Sequence, residues 1–301
     1  MRILQQWKFF LMGLALLPAP ATAETISWYN TTNKVNLTSS GQNMDAFFQF
    51  QLGVFTGGFV PTVANMTQWA SHWVSAQSTS YNPAAGAKSF DSNFTVTGNT
   101  APFTVGAKGY VWGRSTAATK DEWILFRKSD WTWPAPNPMS PEPLYWNAAA
   151  ANEIILGSIN SGGTPFLMKS AAVSSYSQWQ AGNLAGEPLS AANDDPDHDG
   201  SNNLLEFALG TSPLAAGAPV GTPVDLVEVS GQKYQRITIP RSTNRLADLT
   251  VQVSGNLTQW NSGTSYSLVI EDSATALVVR DLTPYNPASQ KRFMRLKAAL
   301  P

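Results

Sequence analysis

The chain has 301 residues, of which 13% are Asp, Glu, Lys or Arg, and its 19 basic residues nearly balance 20 acidic ones. This balance excludes an electrostatic attraction to nucleic acid or anionic lipid. The absence of cysteine excludes disulfides, zinc–thiolate sites and thiol catalysis. Two histidines leave little room for a histidine-rich metal site, whereas 11 tryptophans indicate a folded, aromatic-rich chain.

The segment before Glu24 has the three parts of a secretory signal peptide. Arg2 and Lys8 make its start positive, Phe9–Leu17 is an apolar run, and Ala21-Thr22-Ala23 is a small-residue cleavage pattern. The apolar run would span about 14 Å as a helix, less than half of a bilayer core. We therefore expect residues 1–23 to be removed, leaving a secreted or cell-envelope protein without a membrane span.

Residues 24–173 are predicted to form a β-rich domain with one amphipathic helix. Short segments rich in β-branched and aromatic residues alternate there with Gly, Asn, Pro and Ser clusters. Apolar residues recur at i, i+3, i+7 and i+8 from Met66, which predicts a helix over residues 65–76 with Asn65 as its cap. The predicted strands are Asp45–Leu52, Phe90–Val96, Gly109–Gly113, Glu122–Phe126, Glu153–Ile159 and Pro165–Met168.

Residues 130–146 combine several prolines with three tryptophans, Trp131, Trp133 and Trp146. Proline at this density disfavours both a helix and a central strand, so a long surface loop is predicted. Exposed aromatic rings of such a loop could stack on sugar rings. Alternatively, the prolines and tryptophans pack together and hold the loop against its domain.

The rest of the chain is predicted to contain a helix-loop-helix calcium segment at 174–213, a linker at 214–223 and a small antiparallel β-sandwich at 224–301. The linker is rich in Ala, Pro and Gly. Six strands follow it, and Val224–Val229 and Tyr234–Ile239 flank a turn at Ser230-Gly231-Gln232. The fold class is therefore mainly β, with two β-rich domains joined by the calcium segment.

The strongest chemical signal is the run from Asp195 to Glu206. It has acids at positions 1, 3 and 5, glycine at position 6 and glutamate at position 12, which is the pattern of a calcium loop. Alternate carboxylates can turn inward together, and Gly200 permits the sharp turn that this requires. The predicted calcium ligands are Asp195, Asp197, Asp199, the carbonyl oxygen of Ser201, Asn203 directly or through water, and Glu206.

The residues around this loop predict a single structural site. Leu204, Leu205, Ala208 and Leu209 form the apolar stripe of a helix that should stop at Gly210. The loop differs from a paired EF-hand because position 8 is Asn rather than an apolar residue and because the sequence has no second loop. His198 occupies a non-ligating position and should face solvent.

The run from Asp195 to Pro213 resembles the thrombospondin type 3-like or dockerin-type calcium segments of secreted bacterial proteins. The C-terminal part, through Thr250–Ser254, Trp260 and Arg292–Leu296, is similar to domains that commonly follow such segments. The front part, through Gly57–Thr62, Gly109–Gly113 and Trp131–Pro134, looks like uncharacterised exported proteins of the same kind. The resemblance implies an extracellular or envelope protein that binds calcium and has no assigned catalytic activity.

Three functions are consistent with these patterns. The leading hypothesis is a non-catalytic exported structural or adhesion-type protein stabilised by one calcium ion, with a cell-surface glycan or another envelope protein as partner. The alternative is a carbohydrate-binding module that uses Trp131, Trp133 and Trp146. A glycan-active enzyme would need two carboxyl groups about 5 to 9.5 Å apart in a cleft of the first domain.

Overall fold

A computed structural model describes residues 23–115, 121–137, 142–217, 223–242, 244–286 and 291–301. The predicted signal peptide, apart from its last residue, and half of the predicted 214–223 linker lie outside these ranges. The described residues are mainly β and form eighteen strands, three α-helices and two 3-10 helices. None of the helices in these ranges is long and apolar enough to cross a membrane.

The strands are, in chain order, β1 (Glu24–Tyr29), β2 (Asn36–Leu37), β3 (Gln49–Phe55), β4 (Trp73–Ser80), β5 (Asp91–Val96), β6 (Tyr110–Ser115), β7 (Asp121–Arg127), β8 (Leu144–Asn147), β9 (Glu153–Leu156), β10 (Ser158–Ile159), β11 (Met168–Lys169), β12 (Ala171–Val173), β13 (Val224–Val229), β14 (Gln232–Pro240), β15 (Asp248–Ser254), β16 (Ser267–Asp272), β17 (Ala276–Asp281) and β18 (Phe293–Ala299). The α-helices are α1 (Trp69–His72), α2 (Tyr176–Asn183) and α3 (Asn203–Leu209), and the 3-10 helices are Val63–Gln68 and Ala148–Ala150.

The first twelve strands build three sheets. A six-stranded sheet has the order β12-β7-β6-β3-β4, with β9 also paired to β7. A three-stranded sheet has the order β5-β1-β8, in which β1 pairs antiparallel with β5 and parallel with β8. A smaller sheet has the order β10-β11-β2.

The six-stranded sheet is buried on both faces, which explains the nearly continuous apolar run of β7. Ile124 and Phe126 face a core that they share with Ile26 and Trp28 of the three-stranded sheet. On the opposite face, Leu125 and neighbouring aromatic residues pack against the segment that contains Met66 and Trp69. Successive residues of a strand point to opposite faces, so both faces of β7 require apolar side chains.

The predicted helix over residues 65–76 is wrong in its second half. A 3-10 helix runs from Val63 to Gln68, α1 adds only four residues, and Trp73 begins β4. Only the part of the predicted helix up to His72 is helical, although the apolar spacing continues beyond it. From Trp73 onward the edge of β3 supplies backbone partners, and pairing with β3 outweighs a marginal helix. The cap of the 3-10 helix is Thr62 rather than Asn65. Asn65 lies in the first turn, where its Oδ1 accepts a hydrogen bond from the backbone N–H of Thr62 at 2.8 Å.

The six predicted C-terminal strands are present. They form an antiparallel four-stranded sheet, β13-β14-β17-β16, and an antiparallel pair, β15-β18. Ser230 and Gly231, both with positive φ, connect β13 to β14 as a two-residue hairpin turn. Side chains from both sheets, including Ile239 and Val251, share one apolar core that Leu209 of α3 also enters.

Candidate functional site

The acidic loop, residues 195–206, lies between α2 and the C-terminal sheets. As predicted, residues 174–213 contain two helices, with no helix between Leu184 and Asn202. Asn202 caps α3, because its side chain accepts a hydrogen bond from the backbone N–H of Leu205 at 2.9 Å. Gly210 ends α3 in the left-handed conformation, as its position after the apolar stripe predicts.

The loop brings the three predicted aspartates together. One carboxylate oxygen from each of Asp195, Asp197 and Asp199 lies within 4.8 Å of the others. Two ligands on opposite sides of a calcium ion are at most about 5 Å apart, because each calcium–oxygen distance is about 2.3 to 2.6 Å. The spacing of the triad therefore fits a shared cation.

The other oxygens of the triad shape the loop. The backbone N–H groups of Asp199, Gly200 and Ser201 donate to Asp197 Oδ1, Asp195 Oδ2 and Asp199 Oδ1, at 3.2, 3.0 and 2.8 Å. Gly200 has a φ of 94°, a conformation that glycine adopts without steric cost. His198 is exposed, as predicted for a non-ligating position.

Glu206 is fully buried on α3. Its Oε1 accepts a hydrogen bond from Thr211 Oγ1 at 3.4 Å, whereas its Oε2 is buried without a hydrogen-bond partner among the described residues. Burial, together with the negative charges of Asp197 and Asp199, raises the pKa of Glu206 to about 7. A cation in the loop would offset both the lost hydration and the repulsion between carboxylates.

Asn203, the first residue of α3, is also buried. Its Nδ2 donates to the backbone carbonyls of Leu189 and Ala191 at 3.0 and 2.9 Å, which fixes the orientation of the amide. Its Oδ1 is then buried without a hydrogen-bond partner in the described part of the chain. Ser201, between Gly200 and the cap residue Asn202, is buried, and its carbonyl oxygen stays a predicted ligand.

Four predicted ligand residues thus each carry one buried oxygen that the described chain leaves without a partner: Asp195 Oδ1, Asp197 Oδ2, Asn203 Oδ1 and Glu206 Oε2. An unpartnered buried acceptor costs about 1–3 kcal/mol, and an ionised one costs more. The oxygens of the three aspartates lie close enough to share a cation, whereas Glu206 is not part of that close group, and Glu206 and Asn203 add buried acceptors on the helix that follows. The sequence analysis missed the contact from Thr211 and the cap at Asn202, although Asn before an apolar helical stripe is a recognised cap signal.

The three tryptophans of the second candidate site are buried rather than exposed. Trp131, Trp133 and Trp146 are 3%, 1% and 4% exposed. The rings of Trp131 and Trp146 stack on each other, with centroids 5.2 Å apart and planes 4° apart, and Trp133 meets Trp146 edge-on. No broad indole face is left on which a sugar ring could stack. Contrary to the surface-loop prediction, Trp146 also lies in a strand, β8.

Backbone contacts hold this tryptophan segment in place. The carbonyl of Trp131 accepts hydrogen bonds from Arg127 Nη2 and from the backbone N–H of Gly109, both at 3.0 Å. Trp133 donates its backbone N–H to the carbonyl of Ala107 at 2.7 Å. These contacts agree with the packing alternative for the loop; residues 138–141 lie outside the described ranges.

Glu122, one of the acids of residues 24–173, is held by hydrogen bonds within the fold. It is buried in β7, where Ser39 donates to it through its backbone N–H and its Oγ at 3.0 and 2.6 Å. Ser170 Oγ donates to it at 2.7 Å. The carboxylate therefore ties the turn that follows β2 and the segment before β12 to the six-stranded sheet.

Comparison of the chain with protein-family models, with curated proteins and with solved structures finds no match. The functional argument therefore depends on the geometry of the chain itself.

Proposed function

We propose that this chain is an exported, non-catalytic structural or adhesion-type protein in which one calcium ion stabilises the junction between two β-rich domains. The domains are residues 24–173 and residues 224–301, the second a small antiparallel sandwich. The calcium segment, 174–213, and the linker, 214–223, connect them. The observation that carries the proposal is the set of buried, unpartnered oxygens in the acidic loop.

The position of α3 supports a structural role for the ion. Glu206 is near enough to Asp197 and Asp199 for their charges to raise its pKa, and its neighbour Phe207 packs against Tyr176 and Trp179 of α2. Leu205 and Leu209 pack into the core of the C-terminal sheets. Because one seven-residue helix carries all three contacts, an ion that holds Glu206 would stabilise the packing on both sides of the junction.

The ligand chemistry favours calcium over other metals. The candidate donors are all oxygens from carboxylates, one amide and one backbone carbonyl, with no thiolate or imidazole among them. Oxygen ligands suit calcium, magnesium and manganese, and a flexible loop that can offer six or more oxygens suits calcium best. Isolated extracellular sites bind calcium at about 0.1–1 mM, so at tenfold saturation the ion would add about 1.4 kcal/mol.

Thermal unfolding of the chain without residues 1–23, in calcium and in chelator, tests this proposal. We expect calcium to raise the unfolding temperature by about 2–3 °C, as a gain of 1.4 kcal/mol does for a chain of this size. Glu206→Gln should remove most of this response, because an amide supplies one oxygen and no charge. Glu187→Gln is the matched control, since Glu187 lies outside the loop and accepts a hydrogen bond from the backbone N–H of Leu189.

The proposal is wrong if calcium and chelator give equal unfolding temperatures for the unmodified chain. It is also wrong if Glu187→Gln reduces the calcium response as much as Glu206→Gln does. Magnesium at the same concentration separates a calcium site from general screening of acidic charge.

A further inference from the structure

The outer face of the three-stranded sheet carries a second set of residues with a common chemistry. Ile26 and Trp28 of β1 point into the core, so the alternate residues of β1 point outward. The pairing register then places the outward residues of β5 and β8 beside them. This outer face consists of Thr25, Ser27, Tyr29, Asp91, Asn93, Thr95, Tyr145 and Asn147.

Hydroxyl and amide groups dominate this face. Tyr145 is 58% exposed, and its ring meets that of Tyr29 edge-on at 6.5 Å. The other outward residues are Ser, Thr and Asn, with Asp91 as the one charged group among the eight. Tyr145 OH donates to Glu142 Oε2 at 3.5 Å, and the amide of Asn147 already bonds to Thr31 and to the backbone N–H of Ala149. The face therefore combines an exposed aromatic ring with Ser, Thr and Asn side chains, of which Asn93 lies exposed at the centre.

A hollow of about 340 Å³ runs beside the same edge strand, β8. Pro134, Leu144 and the largely buried Trp131 and Trp146 provide apolar walls, and Lys128 and Asp130, an ion pair at 2.5 Å, provide charged groups. A chain-like ligand lying across the outer face at Tyr145 would reach this hollow where it passes over β8. A single small molecule would occupy either the outer face at Tyr145 or the hollow, but not both.

We propose that this outer face binds a neutral polysaccharide chain, with the ring of Tyr145 as its stacking platform. A sugar ring offers C–H groups to an aromatic face and hydroxyls to its rim, which matches the composition of the face. A nucleic acid would require Lys or Arg on the face, which has neither. A protein partner would require a larger apolar centre than one tyrosine pair provides.

This inference is independent of the calcium proposal, because the face lies on β1, β5 and β8, away from the acidic loop in the chain. It also differs from the tryptophan alternative, since the exposed ring is Tyr145 and not a buried indole. Loss of calcium binding at the acidic loop should therefore leave polysaccharide binding unchanged at temperatures at which the protein is folded. Asp195→Asn provides that separation.

The test is retention of the chain without residues 1–23 on beads of regenerated cellulose, chitin or starch, with calcium pectate as the anionic comparison. We expect retention on at least one neutral polymer, and a reduction of about fivefold to tenfold in affinity for Tyr145→Ala, the effect of losing one aromatic contact. Tyr145→Phe should keep the affinity. Tyr266→Ala is the matched control, because Tyr266 is 45% exposed in the C-terminal part of the chain.

Three results would overturn the proposal. They are no retention on any neutral polymer, retention on pectate alone, and equal losses for Tyr145→Ala and Tyr266→Ala. An unchanged unfolding temperature for Tyr145→Ala shows that its loss of affinity does not come from misfolding. If that variant fails to fold, Asn93→Asp, which adds a charge to the exposed centre of the face, must lower the affinity instead.

Discussion

The acidic loop and the tryptophan segment both stand out in the sequence, but the fold uses them in opposite ways. In the acidic loop, buried oxygens of four residues have no partner within the described chain. In the tryptophan segment, the indoles are closed against one another and the backbone groups are hydrogen-bonded. Buried groups that lack a partner fit a bound ion or water when they cluster in one loop, whereas groups that satisfy one another indicate packing.

The two regions also differ in what stabilises them. Burial of aromatic area stabilises the tryptophan segment whatever the solvent contains. Under the proposed function, the acidic loop gains further stability when an ion offsets the repulsion between its carboxylates. Removal of a carboxylate from the loop should therefore change the response to calcium, whereas variants of the tryptophan segment should not, and two substitutions test this.

The largest effect is expected for Trp131→Ala. The substitution removes a buried ring stacked on Trp146, and large-to-small changes at buried aromatic positions cost about 3–5 kcal/mol. The loss should be the same in calcium and in chelator, as measured by denaturant unfolding. Trp131→Phe should lose less, because it keeps part of the stack. A loss that depends on calcium would contradict the separation of the two regions.

A smaller effect with a change of sign is expected for Asp197→Asn. In calcium, the variant should be less stable by up to about 1.4 kcal/mol, because the ion loses a charged ligand. In chelator, it should be slightly more stable than the unmodified chain, because one of the carboxylates that repel Glu206 is gone. Unfolding curves in both solutions measure the two signs. A loss of stability in chelator as well would contradict the repulsion between Asp197 and Glu206.

Much of the fold was predictable where a local pattern decided the structure. The strand at residues 224–229 has the predicted bounds, because a two-residue turn at Ser230 and Gly231 fixes the hairpin. The stop of α3 at Gly210 follows from glycine's access to positive φ. The proximity of the three aspartates follows from their alternation in a tight loop.

Long-range packing decided what the sequence could not predict. The apolar spacing after Met66 fits a helix, but the edge of β3 turns Trp73 into a strand residue. Proline density predicts a surface loop around Trp131. Its burial, however, depends on the stack with Trp146 and the hydrogen bond from Gly109, which only the fold brings together. The outer face with Tyr145 requires the parallel pairing of β1 with β8, which no local pattern specifies.

The smallest effect is expected for Asn202→Ala, which separates loop geometry from ion binding. Asn202 caps α3 through Leu205, and loss of such a cap costs about 1 kcal/mol. Because the cap does not depend on the ion, the loss should be equal in calcium and in chelator, and Asn202→Ser should restore most of it. If Asn202→Ala instead abolished the stabilisation by calcium, Asn202 rather than Asn203 would supply the amide ligand. Measurements of unfolding with and without calcium would thus assign the amide ligand of the loop to Asn202 or to Asn203.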